Sequence, residues 1–172
     1  MATYEPAFDY MIQNEDYGLT GIITPEPGGG KARLGINSIA NPQSITDGFF
    51  DLPLNDAIAY AKVFYQKNYW APHGFDAVNN QQIATKLFDI AVNIGNGGEH
   101  IEVAQALSKV LGHASTSILT DLNALDPTTF LTDLVEVLKQ HYHDIYDADP
   151  KRYTPNTLIG WLARAIKLPP AV

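Results

Sequence analysis

Glu15 is the residue whose type and position best fit acid chemistry. It follows Phe8, Met11 and Ile12 at spacings of seven, four and three residues, so it shares the apolar face of a helix predicted over residues 4–15. It also ends that helix, where the negative end of the macrodipole disfavours a carboxylate. Partial burial and the dipole both favour the protonated carboxyl group. This position therefore fits a general acid, which must still hold its proton near neutral pH in order to donate it.

The segment that follows Glu15 contains many glycines and prolines between residues 16 and 53. These residues disfavour a long helix and predict turns around short strands at 19–24 and 32–36. Such a long non-helical insertion in a compact domain is usually functional or disordered, and its apolar residues favour order. Its glycines would let backbone and a second carboxylate approach a substrate closely.

The rest of the chain, 54–172, is predicted to form a helical lobe. Apolar spacing and capping residues predict helices at 55–69, 81–94, 99–111, 115–125, 127–146 and 155–167. We therefore expect a mainly α fold, a single domain over 1–172 with a small β-hairpin-containing lobe at 16–53.

Composition excludes several classes of function. The chain has no cysteine, which rules out disulfides, thiolate metal sites and a cysteine nucleophile. A formal net charge of −8 disfavours binding to nucleic acid or anionic lipid, because both are held by Lys and Arg. No apolar stretch is long enough to span a bilayer, so no membrane insertion is expected. The histidines are scattered, so neither a metal site nor a cofactor is predicted.

Four blocks of sequence, in order along nearly the whole chain, resemble glycoside hydrolase family 108, the lysozyme-like N-acetylmuramidases. The first block is NEDY at 14–17, followed by EPGG at 26–29 and LGIN at 34–37. The other three are FYQKNYWAP at 64–72, LFDIAVNIG at 87–95 and GWLAR at 160–164. In the family the corresponding parts of the first block read E-G-G-Y, D-P-G-G and T-x-x-G-I-T.

The resemblance implies a lysozyme-like helical fold with a small β lobe, and Glu15 as the catalytic acid. Glu26 stands where the family has an aspartate, so it is the candidate base or nucleophile, with Thr24 as the alternative polar partner. The separation of the two carboxyl groups would decide the stereochemistry, roughly 5 Å for retention and about 6.5–9.5 Å for inversion. The spacing along the chain leaves both outcomes open.

Four further residues are candidates for binding substrate. Tyr17 lies next to the acid, where its ring could stack on a sugar. Lys31 and Arg33 could bind muramic or peptide carboxylates, or pair with local acids. Asp89 and Asn93 share a helix face within the third block; Asn93 is a candidate cleft residue, whereas Asp89 fits better as a buried group that hydrogen-bonds loop backbone.

The expected partner is the glycan strand of peptidoglycan, which lies outside the cytoplasmic membrane. The amino terminus shows no basic start followed by an apolar run, so no signal peptide is predicted. A protein made in the cytoplasm would then reach the periplasm or cell wall through a holin pore or a secretion apparatus, as the family suggests. Two alternatives stay open. One is a catalytically weakened protein that binds cell-wall glycan or a secretion partner, and the other is a chitin or chitosan hydrolase.

Overall fold

The computed structural model describes residues 1–26, 28–95 and 99–171. Within these ranges the protein is mainly α-helical, with a small antiparallel sheet after the first helix, which confirms the predicted fold class. None of the helices in the described part of the chain is both long and apolar enough to cross a lipid bilayer.

The α-helices are numbered in chain order through the described residues. They are α1 Tyr4–Glu15, α2 Gln43–Thr46, α3 Leu54–Tyr65, α4 Ala71–His73, α5 Gln81–Ile94, α6 Glu99–Leu111, α7 Ile118–Ala124, α8 Pro127–Ala148 and α9 Pro155–Ile166. A π-helical turn at Gln66–Trp70 joins α3 to α4, and 3₁₀ turns occupy Phe49–Asp51 and Phe75–Ala77.

The central helix is α5, and residues 83–91 within it are all buried. A helix that is buried on every side lies inside the fold rather than at its surface. Its amino end is capped by Asn80, whose side chain accepts a hydrogen bond from the Ile83 N–H at 2.9 Å. Lys86 and Asp89 belong to this buried stretch, so both charged groups need partners in the interior.

Helix α1 packs against α5 through its apolar face, as the sequence predicted. Phe8, Met11 and Ile12 are buried, and the Tyr4 ring meets the Phe88 ring of α5 edge-on at 5.7 Å. Because Glu15 continues the same face, its side chain projects from the end of α1 along the edge of the core.

The sheet has the order β1-β2-β3, with β1 Thr24–Glu26, β2 Gly30–Arg33 and β3 Ile36–Asn37, all antiparallel. Pro25 lies in β1, an edge strand, where a residue without an N–H is tolerated. The predicted strand at 32–36 overlaps β2 and β3. The predicted strand at 19–24 is wrong for all but its last residue.

The reason for that difference is the side chain of Asp16. Its Oδ1 accepts hydrogen bonds from the Thr20 N–H at 3.1 Å and hydroxyl at 2.7 Å, and its Oδ2 accepts from the Gly21 N–H at 2.7 Å. Leu19 and Gly21 have positive φ angles of 51° and 59°. These residues therefore form a turn held by a carboxylate, and a turn cannot pair as a strand.

The carboxyl-terminal helices follow their local capping signals. Asp126 accepts from the Thr129 N–H at the start of α8, and Thr154 with Thr157 forms a capping box at the start of α9. The predicted helix at 115–125 is shorter in the structure, since α7 covers only Ile118–Ala124. Ser115 lies before it and donates to the Asp121 carboxylate at 2.5 Å.

Candidate active site

Glu15, the last residue of α1, is mostly buried, with 18% of its side chain exposed. Its carboxylate contacts the Arg164 guanidinium of α9, with 2.7 Å between Glu15 Oε1 and Arg164 Nη2. The guanidinium attracts the Glu15 carboxylate and holds it at the end of α1. Nothing local to Glu15 in the sequence indicates Arg164, so this contact was not predicted.

Arg164 is held in place by a second carboxylate, Asp89 of α5. Arg164 Nη2 lies 2.8 Å from Asp89 Oδ1, and the Asn14 amide also donates to that oxygen, at 2.9 Å. Although burial opposes the charge, the carboxylates of Asp89 and Glu15 raise the pKa of Arg164 above its ordinary value. The prediction that Asp89 bonds loop backbone is therefore wrong, since its partners are the side chains that fix Arg164 against Glu15.

The other side of the Glu15 carboxylate meets bare backbone at Gly35. A Cβ atom at Gly35 would lie 2.7 Å from Glu15 Oε2 and 2.5 Å from the Tyr65 hydroxyl oxygen. That hydroxyl donates to the Leu34 carbonyl at 3.0 Å, and burial, followed by the charge of Glu15, raises the Tyr65 pKa. Tyr65 therefore stays a neutral donor that holds the β2–β3 turn against the acid.

Glu15 opens onto a groove of about 510 Å³ between α1 and the sheet. The residues that line it are Glu15, Asp16, Thr20, Ile22, Thr24, Glu26, Ala32, Arg33, Leu34, Gly35 and Asn37. Both carboxylates proposed for catalysis, Glu15 and Glu26, thus face one groove, and so does Thr24.

Glu26 is positioned on β1 by a residue that the sequence reasoning missed. Its Oε2 accepts from the Asn37 Nδ2 at 3.0 Å, and Asn37 Oδ1 in turn accepts from the Ile39 N–H at 2.7 Å. These bonds fix the orientation of the Asn37 amide and direct its donor at Glu26. The signal for it was present, because Asn37 stands where the family block G-I-T has its threonine.

A family model matches part of the chain. Residues 22–95 match the family model Glycosyl hydrolase 108. The match confirms the resemblance stated from the sequence blocks and supports glycoside hydrolysis as the activity class. Neither a curated protein nor a solved structure matches the chain significantly.

The glycosyl hydrolase 108 segment supplies only part of the groove. It contains Glu26, Gly35 and Asn37, whereas Glu15 and Arg164 lie before and after it. The acid and its cation therefore come from helices at the two ends of the chain, and they meet in the fold.

Arg33 lines the groove but differs from the substrate-binding residue that was predicted. Its guanidinium donates to the carbonyl oxygens of Gly21 at 2.9 Å, Phe49 at 3.1 Å and Leu52 at 2.8 Å. Only 7% of Arg33 is exposed. These hydrogen bonds connect the loops around the sheet, and none of them is made to a neighbouring carboxylate.

Tyr17 and Asn93, two further predicted binding residues, lie away from the groove. Tyr17 is 86% exposed and contributes nothing to the groove lining. Asn93 accepts a hydrogen bond from the Tyr142 hydroxyl and lines a second groove on the far side of Arg164. The structure therefore brings Glu26, Thr24 and Arg33 to the Glu15 groove, and leaves Tyr17 and Asn93 outside it.

No metal site is found among the residues that the structure describes. They contain no group of three or more His, Asp or Glu side chains arranged to hold an ion.

Proposed function

We propose that this protein is a peptidoglycan hydrolase that cleaves the β-1,4 bond between N-acetylmuramic acid and N-acetylglucosamine, with Glu15 as the general acid. The observation that supports this most is the environment of Glu15. Its carboxylate is held between Arg164 and the bare backbone of Gly35, at the wall of a groove that also contains Glu26. The family match supports a glycan as the substrate class.

In the proposed reaction Glu15 donates its proton to the glycosidic oxygen as the bond to the leaving sugar breaks. Donation leaves Glu15 as a carboxylate, and the Arg164 guanidinium 2.7 Å away stabilises that charge. Asp89 keeps the guanidinium in position, so Arg164 is a positioning residue for the acid.

The second half of the reaction is assigned to Glu26, which takes a proton from the attacking water or attacks the sugar itself. The Asn37 amide bonded to Glu26 Oε2 orients its carboxylate toward the groove. We assign the Thr24 hydroxyl a supporting part, to hold the water. Since the substrate is cell-wall glycan, the proposal implies action outside the cytoplasmic membrane after delivery through a holin pore or a secretion apparatus.

The test is hydrolysis of purified cell walls by the native chain and by Glu15→Gln, measured as reducing ends released. Loss of a general acid should lower kcat by about 10²- to 10⁴-fold. Glu5→Gln is the matched control, because Glu5 lies on the same helix and 65% of its side chain is exposed. It should hydrolyse walls at the native rate.

Three results would contradict the proposal. Equal rates for Glu15→Gln and the native chain would remove Glu15 from the chemistry. Wall binding without release of reducing ends by the native chain would instead indicate a glycan-binding protein. Faster cleavage of soluble chitin oligomers than of walls would indicate a chitin hydrolase.

A further inference from the structure

A second groove, of about 370 Å³, lies on the far side of Arg164 from the Glu15 groove. Its polar and aromatic lining residues are Gln13, Asn14, Asn93, Trp161, Arg164 and Lys167. Arg164 links the two grooves, because the guanidinium that contacts Glu15 also belongs to this lining. The two grooves therefore adjoin at the Glu15–Arg164 ion pair.

The lining of this groove presents one exposed ammonium group, that of Lys167, in a chain whose net charge is −8. It includes Arg164 and the exposed Lys167, and none of its described lining residues is an Asp or Glu. The Lys167 ammonium donates to Asn14 Oδ1 at 2.5 Å and stands 5.3 Å from the centre of the Tyr10 ring. The charge of Arg164 is already met by Glu15 and Asp89, so Lys167 is the cation of this lining that favours a carboxylate ligand.

The second groove continues into a narrower aromatic slot of about 130 Å³, because Asn93 and Trp161 line both. In the slot the Trp161 ring stacks on Tyr142 at 5.5 Å and meets Tyr153 edge-on at 4.9 Å. The Trp161 and Tyr153 side chains are only half-buried, so part of their ring surface stays accessible beside the second groove. Together the two parts suit a ligand that carries both a carboxylate and small apolar groups.

We propose that the second groove binds the acidic lactyl-peptide branch of peptidoglycan, with a branch carboxylate at Lys167 and its apolar part against Trp161. This inference rests on the proposed function, because it takes the sugar chain itself to lie in the Glu15 groove. It makes Lys167 and Trp161 determinants of specificity for a branched glycan over a plain one.

The experiment measures how much protein sediments with three preparations of cell wall. The first is untreated, the second is treated with an amidase that removes the peptides but leaves the lactyl carboxylates, and the third has all its carboxylates chemically amidated. Two variants change the groove, Lys167→Gln and Ala163→Glu, since Ala163 is exposed within its lining. Ile159→Glu is the control, because it adds the same charge to α9 at a residue that is 63% exposed and outside the groove.

We expect Lys167→Gln to bind untreated walls about three- to fivefold more weakly than the native chain, as for the loss of one exposed ion pair. Ala163→Glu should bind untreated walls more weakly still, and Ile159→Glu should bind them like the native chain. On amidated walls the native chain and the variants should bind equally. If Lys167→Gln still binds amidase-treated walls more weakly than the native chain, the group that Lys167 binds is the lactyl carboxylate. If the difference disappears on those walls, Lys167 binds the peptide carboxylates.

The proposal is overturned if Lys167→Gln binds all three preparations like the native chain, or if it loses the same factor on each. Because sedimentation requires no bond cleavage, this result is independent of catalysis. A chain that prefers carboxylated walls but releases no reducing ends would refute the proposed hydrolase and support the branch-binding groove.

Discussion

Replacing Gly35 with alanine adds one methyl group where the groove backbone meets the proposed acid. The new Cβ would lie 2.7 Å from Glu15 Oε2, 2.9 Å from Glu15 Cβ and 2.5 Å from the Tyr65 hydroxyl oxygen, whereas ordinary contacts begin near 3.4 Å. Tyr65 is 1% exposed and hydrogen-bonded to Leu34, so it has little freedom to move. The Glu15 carboxylate is therefore the group we expect to be displaced.

The loss of stability has two parts. Gly35 has φ +76°, and the left-handed conformation costs an alanine about 1–2 kcal/mol. Overpacking against Glu15 and Tyr65 adds about 1–3 kcal/mol. Gly48→Ala isolates the first part, because Gly48 has φ +71° and nothing within 4 Å of the added Cβ. The difference between the two variants is thus the cost of displacing neighbours of Gly35.

Both variants would be measured by urea denaturation and by release of reducing ends from walls. Misplacing a catalytic group by roughly 1 Å costs about 10²-fold in rate, so kcat should fall by that order in Gly35→Ala and stay native in Gly48→Ala. If the two variants unfolded with equal free energy and cleaved walls equally fast, the Glu15 carboxylate could not be packed against this glycine.

Two other substitutions test the interior charges. Arg164→Met leaves the Asp89 carboxylate, 1% exposed, without its cation, so denaturant titration should show a loss of about 3–5 kcal/mol in unfolding free energy. Lys139→Met, at an exposed ion pair, should lower the unfolding free energy by less than about 1 kcal/mol. Equal losses in Arg164→Met and Lys139→Met would contradict a buried ion pair between Arg164 and Asp89. Burial lowers the pKa of Lys86 from 10.5 to about 8, so between those values the unfolded chain binds a proton that the folded chain has released. Lys86 should therefore add stability as the pH rises from about 8 to 10, against the opposing effect of buried tyrosines whose pKa values are raised in the fold. The difference in stability between the native chain and Lys86→Met should rise over this range; identical pH profiles would show that Lys86 titrates normally.

Local signals in the sequence account for most of the helices. The bounds of α1, α5 and α6 match the prediction because apolar spacing, the Asn80 cap and the terminal residues are all readable within one helix. The same local reading located Glu15 at the end of a buried face. It failed at 19–23, where a single side chain, Asp16, bonds the backbone that a strand would need.

The environment of Glu15 could not be read from local signals, because its partners come from distant parts of the chain. Arg164 belongs to α9 and Gly35 to the turn before β3, and only the fold brings both to one carboxylate. The backbone partners of Arg33 were missed for a related reason. A lone arginine in a loop looks like a ligand for an anion, but here its guanidinium satisfies backbone carbonyls of Gly21 and Leu52.

The position of Arg164 relative to Glu15 depends on how α9 packs against α5. The Lys86 ammonium of α5 donates to the carbonyl oxygens of Arg164 and Lys167 at 2.8 Å each, at the end of α9 where carbonyls lack helical partners. One turn further along α5, Asp89 holds the Arg164 side chain. Two buried charges on one helix thus fix both the backbone and the guanidinium of Arg164. Because this arrangement sets where Arg164 meets Glu15, substitutions at Lys86 should alter the proposed catalysis as well as stability, although Lys86 lines neither groove.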